Sequence, residues 1–207
     1  MAYPIYQIQN FIPEDYPFYF CDANVWIAIL KYYGIGSVRS YEEPYQDFFL
    51  AIINLNENKD PVAVKRIKNR PKIVLTSLLL SEVINAYMRN VAMKSFFGGG
   101  EAYKSHNFKT EYRDNIHSDY KKQIATFTSD LATFQDYVVL YNDDFTTISP
   151  FSFLPSLSTL NADFNDLYYF HFLKGKSIPL VTHDKDFLFQ DITIITNQQA
   201  LLRHSTI

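Results

Sequence analysis

Carboxylates stand at four separated places in the chain, each beside or inside an apolar run. Asp22 follows Phe18-Tyr-Phe-Cys21, and Glu82 lies within Ser77-Leu-Leu-Leu-Ser-Glu-Val-Ile-Asn85. Asp163 and Asp166 close the stretch Asn161-Ala-Asp-Phe-Asn-Asp166, and Asp184 and Asp186 sit in Thr182-His-Asp-Lys-Asp-Phe187. Singly, each has an ordinary explanation. Asp22 and Asn24 suit a helix cap, Glu82 a solvated helix face, Asp163 and Asp166 a helix start favoured by its dipole, and Asp184 and Asp186 a turn. Together they suggest more, because acids that converge repel one another and stay ionised only beside a hard divalent cation. Mg²⁺ or Mn²⁺ suits such a set, with two or three carboxylates and several waters completing the shell. The chemistry this permits is attack by a metal-activated water, with no Ser, Cys or His nucleophile.

Short β-branched or aromatic runs at 18–21, 72–76, 137–141, 178–182 and 192–196 read as strands, most of them apolar throughout, as strands buried on both faces tend to be. Between them Tyr120, Ile124, Phe127, Leu131 and Phe134 fall on one side of a helix facing the core. Strands separated by helices predict an α/β fold with one five-stranded, mostly parallel sheet covered by helices on both faces. In such a sheet ligands bind outside the carboxyl ends of the strands, where Asp22 and the 182–187 turn fall.

With 207 residues, 47% of them apolar and 17% aromatic, the chain can bury the core of one domain, which excludes disorder and a small disulfide scaffold. A net charge of −3 excludes a uniformly basic coat protein, so a polyanion site must be local. The single cysteine, Cys21, fits a reducing interior. Residues 1–17 lack the basic start and apolar stretch of a signal peptide, and Asp22 and Asn24 interrupt the apolar run 18–30. These features predict a soluble, cytoplasmic protein without a membrane partner. Gly98, Gly99 and Gly100 open a polar and aromatic segment, 98–120, without clear period, which reads as a mobile excursion from the sheet.

The chain resembles the PIN domain family of metal-dependent nucleases. The matching residues are Asp22-Ala-Asn24, Ser81-Glu-Val-Ile-Asn85, Asp166, and Thr182-His-Asp-Lys-Asp-Phe187, with sixteen residues from Asp166 to Thr182. The final Thr-x-Asp-x-Asp-Phe after Asn-Asp-Leu is the most specific part. The likeness covers 18–195, and the chain is similar to a longer bacterial branch rather than to the compact toxins of toxin–antitoxin pairs. It implies one domain over 1–207, a three-layer α/β/α sandwich of strand order 3-2-1-4-5, and an insertion around 95–120. It also implies an Mg²⁺- or Mn²⁺-dependent nuclease, an endoribonuclease acting on single-stranded or structured RNA in preference to DNA. Asp22, Glu82, Asp166 and Asp184 would form the acidic quartet, with Asp186 touching a second ion. Asn24 and Thr182 would orient carboxylates or waters, and Asp163 departs from the minimal pattern.

Cations that could follow a phosphate backbone precede the second strand (Lys59, Lys65, Arg66, Lys68, Arg70, Lys72) and follow it (Arg89, Lys94, Lys104, Lys109, Arg113). Among these, Arg89, Lys109 and Arg113 are the expected nucleic-acid contacts. Phe96, Phe97, Tyr103, Phe108 and Tyr112 either stack on unpaired bases or pack beneath a long loop. Exposed aromatics there would suit a homodimer, and a toxin role would require an inhibitory antitoxin-like protein. His183 and His171 read as a turn and a packed or surface histidine. A haloacid dehalogenase-type phosphatase needs a second Asp where this chain has Asn24. A catalytically silent PIN-fold module that binds RNA or protein is the remaining alternative.

Overall fold

The computed structural model describes residues 4–32 and 39–205; residues 1–3, the start of the stretch read above as lacking a leader, lie outside them. The chain begins with β1 (Ile5–Gln7) and β2 (Phe18–Cys21), then α1 (Ala23–Tyr32), α2 (Glu43–Glu57) and the short α3 (Pro61–Val64). β3 (Lys72–Leu75) leads into α4 (Ser77–Tyr87), followed by α5 (Lys94–Phe96), α6 (Tyr120–Thr133) and β4 (Val138–Leu140). The chain continues through α7 (Phe145–Ile148), α8 (Phe164–Leu173), β5 (Leu180–Val181), β6 (Ile194–Thr196) and α9 (Gln199–Leu202).

All pairings between these strands are parallel, and the order is β1-β6-β5-β2-β3-β4. Six strands replace the expected five-stranded sheet of order 3-2-1-4-5. The difference is β1, which docks outside β6 with Ile5 opposite Ile194. The five runs found in the sequence stand side by side as β4-β3-β2-β5-β6. β1 escaped because its three residues grade from buried Ile5 to exposed Gln7, too short for a period to show.

Consecutive residues of a strand point to opposite faces, and β2 shows what covers each. The ring of Tyr19 meets Phe48 of α2 at 5.1 Å, whereas Phe20 meets Tyr169 and Phe172 of α8 at 4.9 and 5.7 Å. Helices therefore cover both faces. The predicted amphipathic helix is α6, with Phe127 and, just past its end, Phe134 buried. Among the described residues no helix is long and apolar enough to cross a membrane.

The segment 98–120, which lacks a repeating apolar pattern, packs on the domain through its tyrosines. Its three glycines take left-handed φ values of 81°, 79° and 63°, reversing the chain after α5. Tyr112 is then buried with its hydroxyl donating to Asp119 at 3.0 Å, and Phe97 stacks on His106 at 3.7 Å. Aromatic packing substitutes here for a repeating apolar pattern.

Candidate functional site

The chain runs from β2 outward through β3 to β4, then returns to the other side of β2 for β5 and β6. This reversal leaves a crevice beyond the carboxyl ends of β2 and β5, where neighbouring connections diverge. Asp22 is the first residue after β2, and Thr182 the first after β5. The Thr182 side chain ties the two ends together. Its hydroxyl donates to Asp22 Oδ2 and accepts the Asp184 N–H at 2.9 Å.

Asp22 is both helix cap and crevice acid. Its Oδ1 accepts the Val25 N–H at 2.8 Å while the side chain is only 5% exposed. Burial pushes its pKa up to about 7; the bonds from Thr182 and Val25 oppose the rise, and the charges of Asp184 and Glu82 add to it. Cys21, just beneath, is fully buried, and burial followed by the Asp22 charge raises its thiol pKa, so it supplies no ready thiolate.

Glu82 comes from α4, whose start is fixed by Thr76 accepting the Leu79 N–H at 3.3 Å and by Asp143 accepting the Leu78 N–H at 3.3 Å. Its carboxylate is engaged rather than left to water. Glu82 Oε2 accepts the Tyr169 hydroxyl at 2.5 Å and the Asn165 amide at 3.0 Å. These partners are one turn apart on α8, so a single helix face grips the acid. Burial raises the Glu82 pKa, Tyr169 and Asn165 hold it down, and Asp163 and Asp184 push it up. Asn165 and Tyr169 were not foreseen; their spacing of four residues beside Asp166 was the available signal.

Asp166 lies in the first turn of α8, and Asp163 is its cap. Each carboxylate accepts the other's backbone N–H at 3.0 Å. Burial drives the Asp166 pKa up to about 7, opposed by the Asp163 N–H and reinforced by the charges of Asp163, Asp184 and Glu82. Asp184 Oδ1 accepts the Asp186 N–H at 2.9 Å, and Asp186 turns to Asn161, whose amide donates at 2.6 Å.

The Asp184 charge thus reaches Asp22, Glu82 and Asp166, and the Glu82 charge reaches Asp22 and Asp166. Among the described residues none of the four forms an ion pair with Lys or Arg. Nor, among the described residues, do three or more carboxylate, imidazole or thiol groups come together in an arrangement that could hold a metal ion. The acids share a field without converging on a point.

Several candidate contacts fall elsewhere. Lys72 opens β3, at the amino end of a parallel sheet, roughly 13 Å of strand from the acids. Lys68 pairs with Asp15 ahead of β2, and Arg70 donates to the Asn56 and Asn58 carbonyls. Tyr103 and Tyr112 are buried, so they are not free to stack on bases. Phe108 carries the Arg89 guanidinium 4.3 Å above its ring, and Arg113 pairs with Asp114. Lys109 and Asn24 are exposed, the latter at the edge of a neighbouring cleft. His171 stacks on Phe153 at 4.7 Å. His183 is better ordered than a turn histidine in water. It stacks on Tyr41 at 4.6 Å, and its Nδ1 lies 2.9 Å from the Tyr45 hydroxyl. The same hydroxyl lies 3.0 Å from the Thr182 carbonyl and accepts the Asn197 N–H at 2.9 Å, so it ties His183 to the ends of β5 and β6.

No protein-family model matches the chain, and no curated protein or solved structure matches it.

Proposed function

We propose that this chain is a divalent-metal-dependent nuclease of PIN type that hydrolyses phosphodiester bonds in RNA. One observation carries the reading. Asp22, Glu82 and Asp166, from three separate segments, all feel the charge of Asp184 from a fourth, and none of the four has a pairing lysine or arginine among the described residues. Carboxylates withdrawn from water without a partner cation are costly, and carboxylate oxygens are donors that Mg²⁺ or Mn²⁺ takes in preference to softer ions.

When bound, such an ion supplies an activated water and neutralises charge on the leaving oxygen. The chain's own residues hold the acids for that task. Thr182 fixes Asp22 and the backbone of Asp184, Asn165 and Tyr169 orient Glu82, and the Asp163–Asp166 box fixes the start of α8. The reading includes RNA in preference to DNA and an insertion around 95–120, both resting on the family resemblance.

A catalytically silent module with this fold is favoured by a different observation, namely that among the described residues no three ligating groups are gathered for an ion. Incubation of labelled single-stranded and structured RNAs and DNAs with Mg²⁺ or Mn²⁺ separates the two. Cleavage by the intact chain that disappears in Asp22→Asn and Asp184→Asn supports the nuclease; equal cleavage by all three proteins, or none by any, rejects it.

A further inference from the structure

Next to the acid rim a cleft of about 350 Å³ opens between α1, the start of α2 and residues 90–103. Asn24 and His183 lie on its wall, two residues past Asp22 and one before Asp184, so the cleft and the rim are contiguous. Its charge is opposite to the rim's. Lys31, Arg39 and Lys94 line it against the single carboxylate of Glu42. Lys31 is already committed to Glu42 at 2.6 Å. Arg39 contacts the neutral Tyr41 hydroxyl at 2.9 Å, and Lys94 pairs at 3.7 Å with Glu101, whose side chain is 69% exposed, so neither cation is held by a buried carboxylate.

The same wall carries an aromatic platform, Tyr41 laid on His183 with only 17° between their planes, and the side-chain amide of Asn90. Cations beside an aromatic surface match the two halves of a nucleotide, an anionic phosphate and a flat base. The volume lies near the lower end of the roughly 300–1,000 Å³ typical of small-ligand sites, room for one nucleotide but not for a stacked pair. A duplex keeps its bases turned inward and cannot place one there without unpairing it.

We infer that this cleft takes one unpaired nucleotide of a single-stranded nucleic acid, its phosphate at Arg39 and Lys94 and its base against Tyr41. That the neighbouring phosphodiester faces the acid rim rests on the nuclease reading; the binding itself does not.

Fluorescence anisotropy with the Asp22→Asn chain in Mg²⁺ tests this, using a short labelled RNA either single-stranded or annealed into a blunt duplex. The single strand binds at least about tenfold more tightly than the duplex. In an added Arg39→Gln, Lys94→Gln pair, the slope of log affinity against log salt shrinks by about 1.4, or about 0.7 for each lost phosphate contact. Tyr41→Ala weakens single-strand binding by about fivefold or more, and thermal melting confirms that the variants fold. Equal binding of duplex and single strand, no binding of either, or an unchanged salt slope overturns the inference. Cleavage by the intact chain with the slope unchanged removes the cleft and keeps the nuclease. Single-strand binding lost in the cleft variants, with no cleavage in Mg²⁺ or Mn²⁺, removes the nuclease and keeps the cleft.

Discussion

Two carboxylates of this protein are equally buried and oppositely treated. Glu42, 4% exposed at the cleft floor, receives Lys31 at 2.6 Å and the Arg39 N–H at 2.9 Å. Asp22, 5% exposed at the crevice, receives a backbone N–H and a neutral hydroxyl, and its nearest charged influences are two more acids. The fold answers the first charge with a cation of its own and the second with neutral donors alone. A buried anion balanced within the chain does structural work, whereas one surrounded by further anions is suited to bind a cation.

The largest separation between the two regions is expected in activity. Asp22→Asn keeps an oxygen to cap Val25, turns an amide N–H toward the Thr182 hydroxyl and removes a charge; cleavage falls by on the order of 10³-fold, the scale of losing one group that stabilises transition-state charge. Glu42→Gln leaves the half-buried Lys31 unpaired and instead costs about 2 kcal/mol of stability, read from urea unfolding near pH 4, where Asp22→Asn changes it by less than about 1 kcal/mol. If both variants lose stability alike, the contrast between the sites disappears.

Smaller effects sharpen the contrast. Tyr169→Phe and Thr182→Val, which touch acids without being acids, reduce cleavage by about 10- to 100-fold, as groups that orient metal ligands do, and weaken Mn²⁺ activation rather than RNA binding. The acids also imprint a pH dependence on stability. Asp22 and Asp166 have pKa values near 7 in the fold against an ordinary value of 3.8, so between these limits the native chain holds more protons than the unfolded one. Their contribution is therefore complete below about pH 4 and lost as pH rises through 7. Urea midpoints measured without divalent ions should show this loss, smaller in Asp22→Asn, and Mg²⁺ should reverse it at pH 8. A difference between wild type and Asp22→Asn that runs the other way would exclude an uncompensated Asp22.

Much of this was legible in the sequence, for identifiable reasons. β2, β3 and β6 are mostly apolar runs buried on both faces, and Asp22, first after β2, and Asp184, third after β5, mark the crevice by their charge. What could not be read was which neighbour each acid would meet. Glu82 sits in an apolar helix in either case, and only the approach of α8 decides that Tyr169 and Asn165 hold it. The cations before β3 seemed eligible because proximity in sequence says nothing about which end of a parallel strand they occupy. Tyr103 and Tyr112 looked like stacking residues because a buried tyrosine and an exposed one share a composition. The cleft combines α1, α2 and residues 90–103, three pieces that no local pattern links.

Calorimetric titration of Mn²⁺ into the intact chain and into Asp22→Asn at pH 8 asks whether these acids receive a cation at all. Saturable binding by the intact chain that is lost or strongly weakened in Asp22→Asn is the expected result. Absent binding, or identical binding in both proteins, would contradict it.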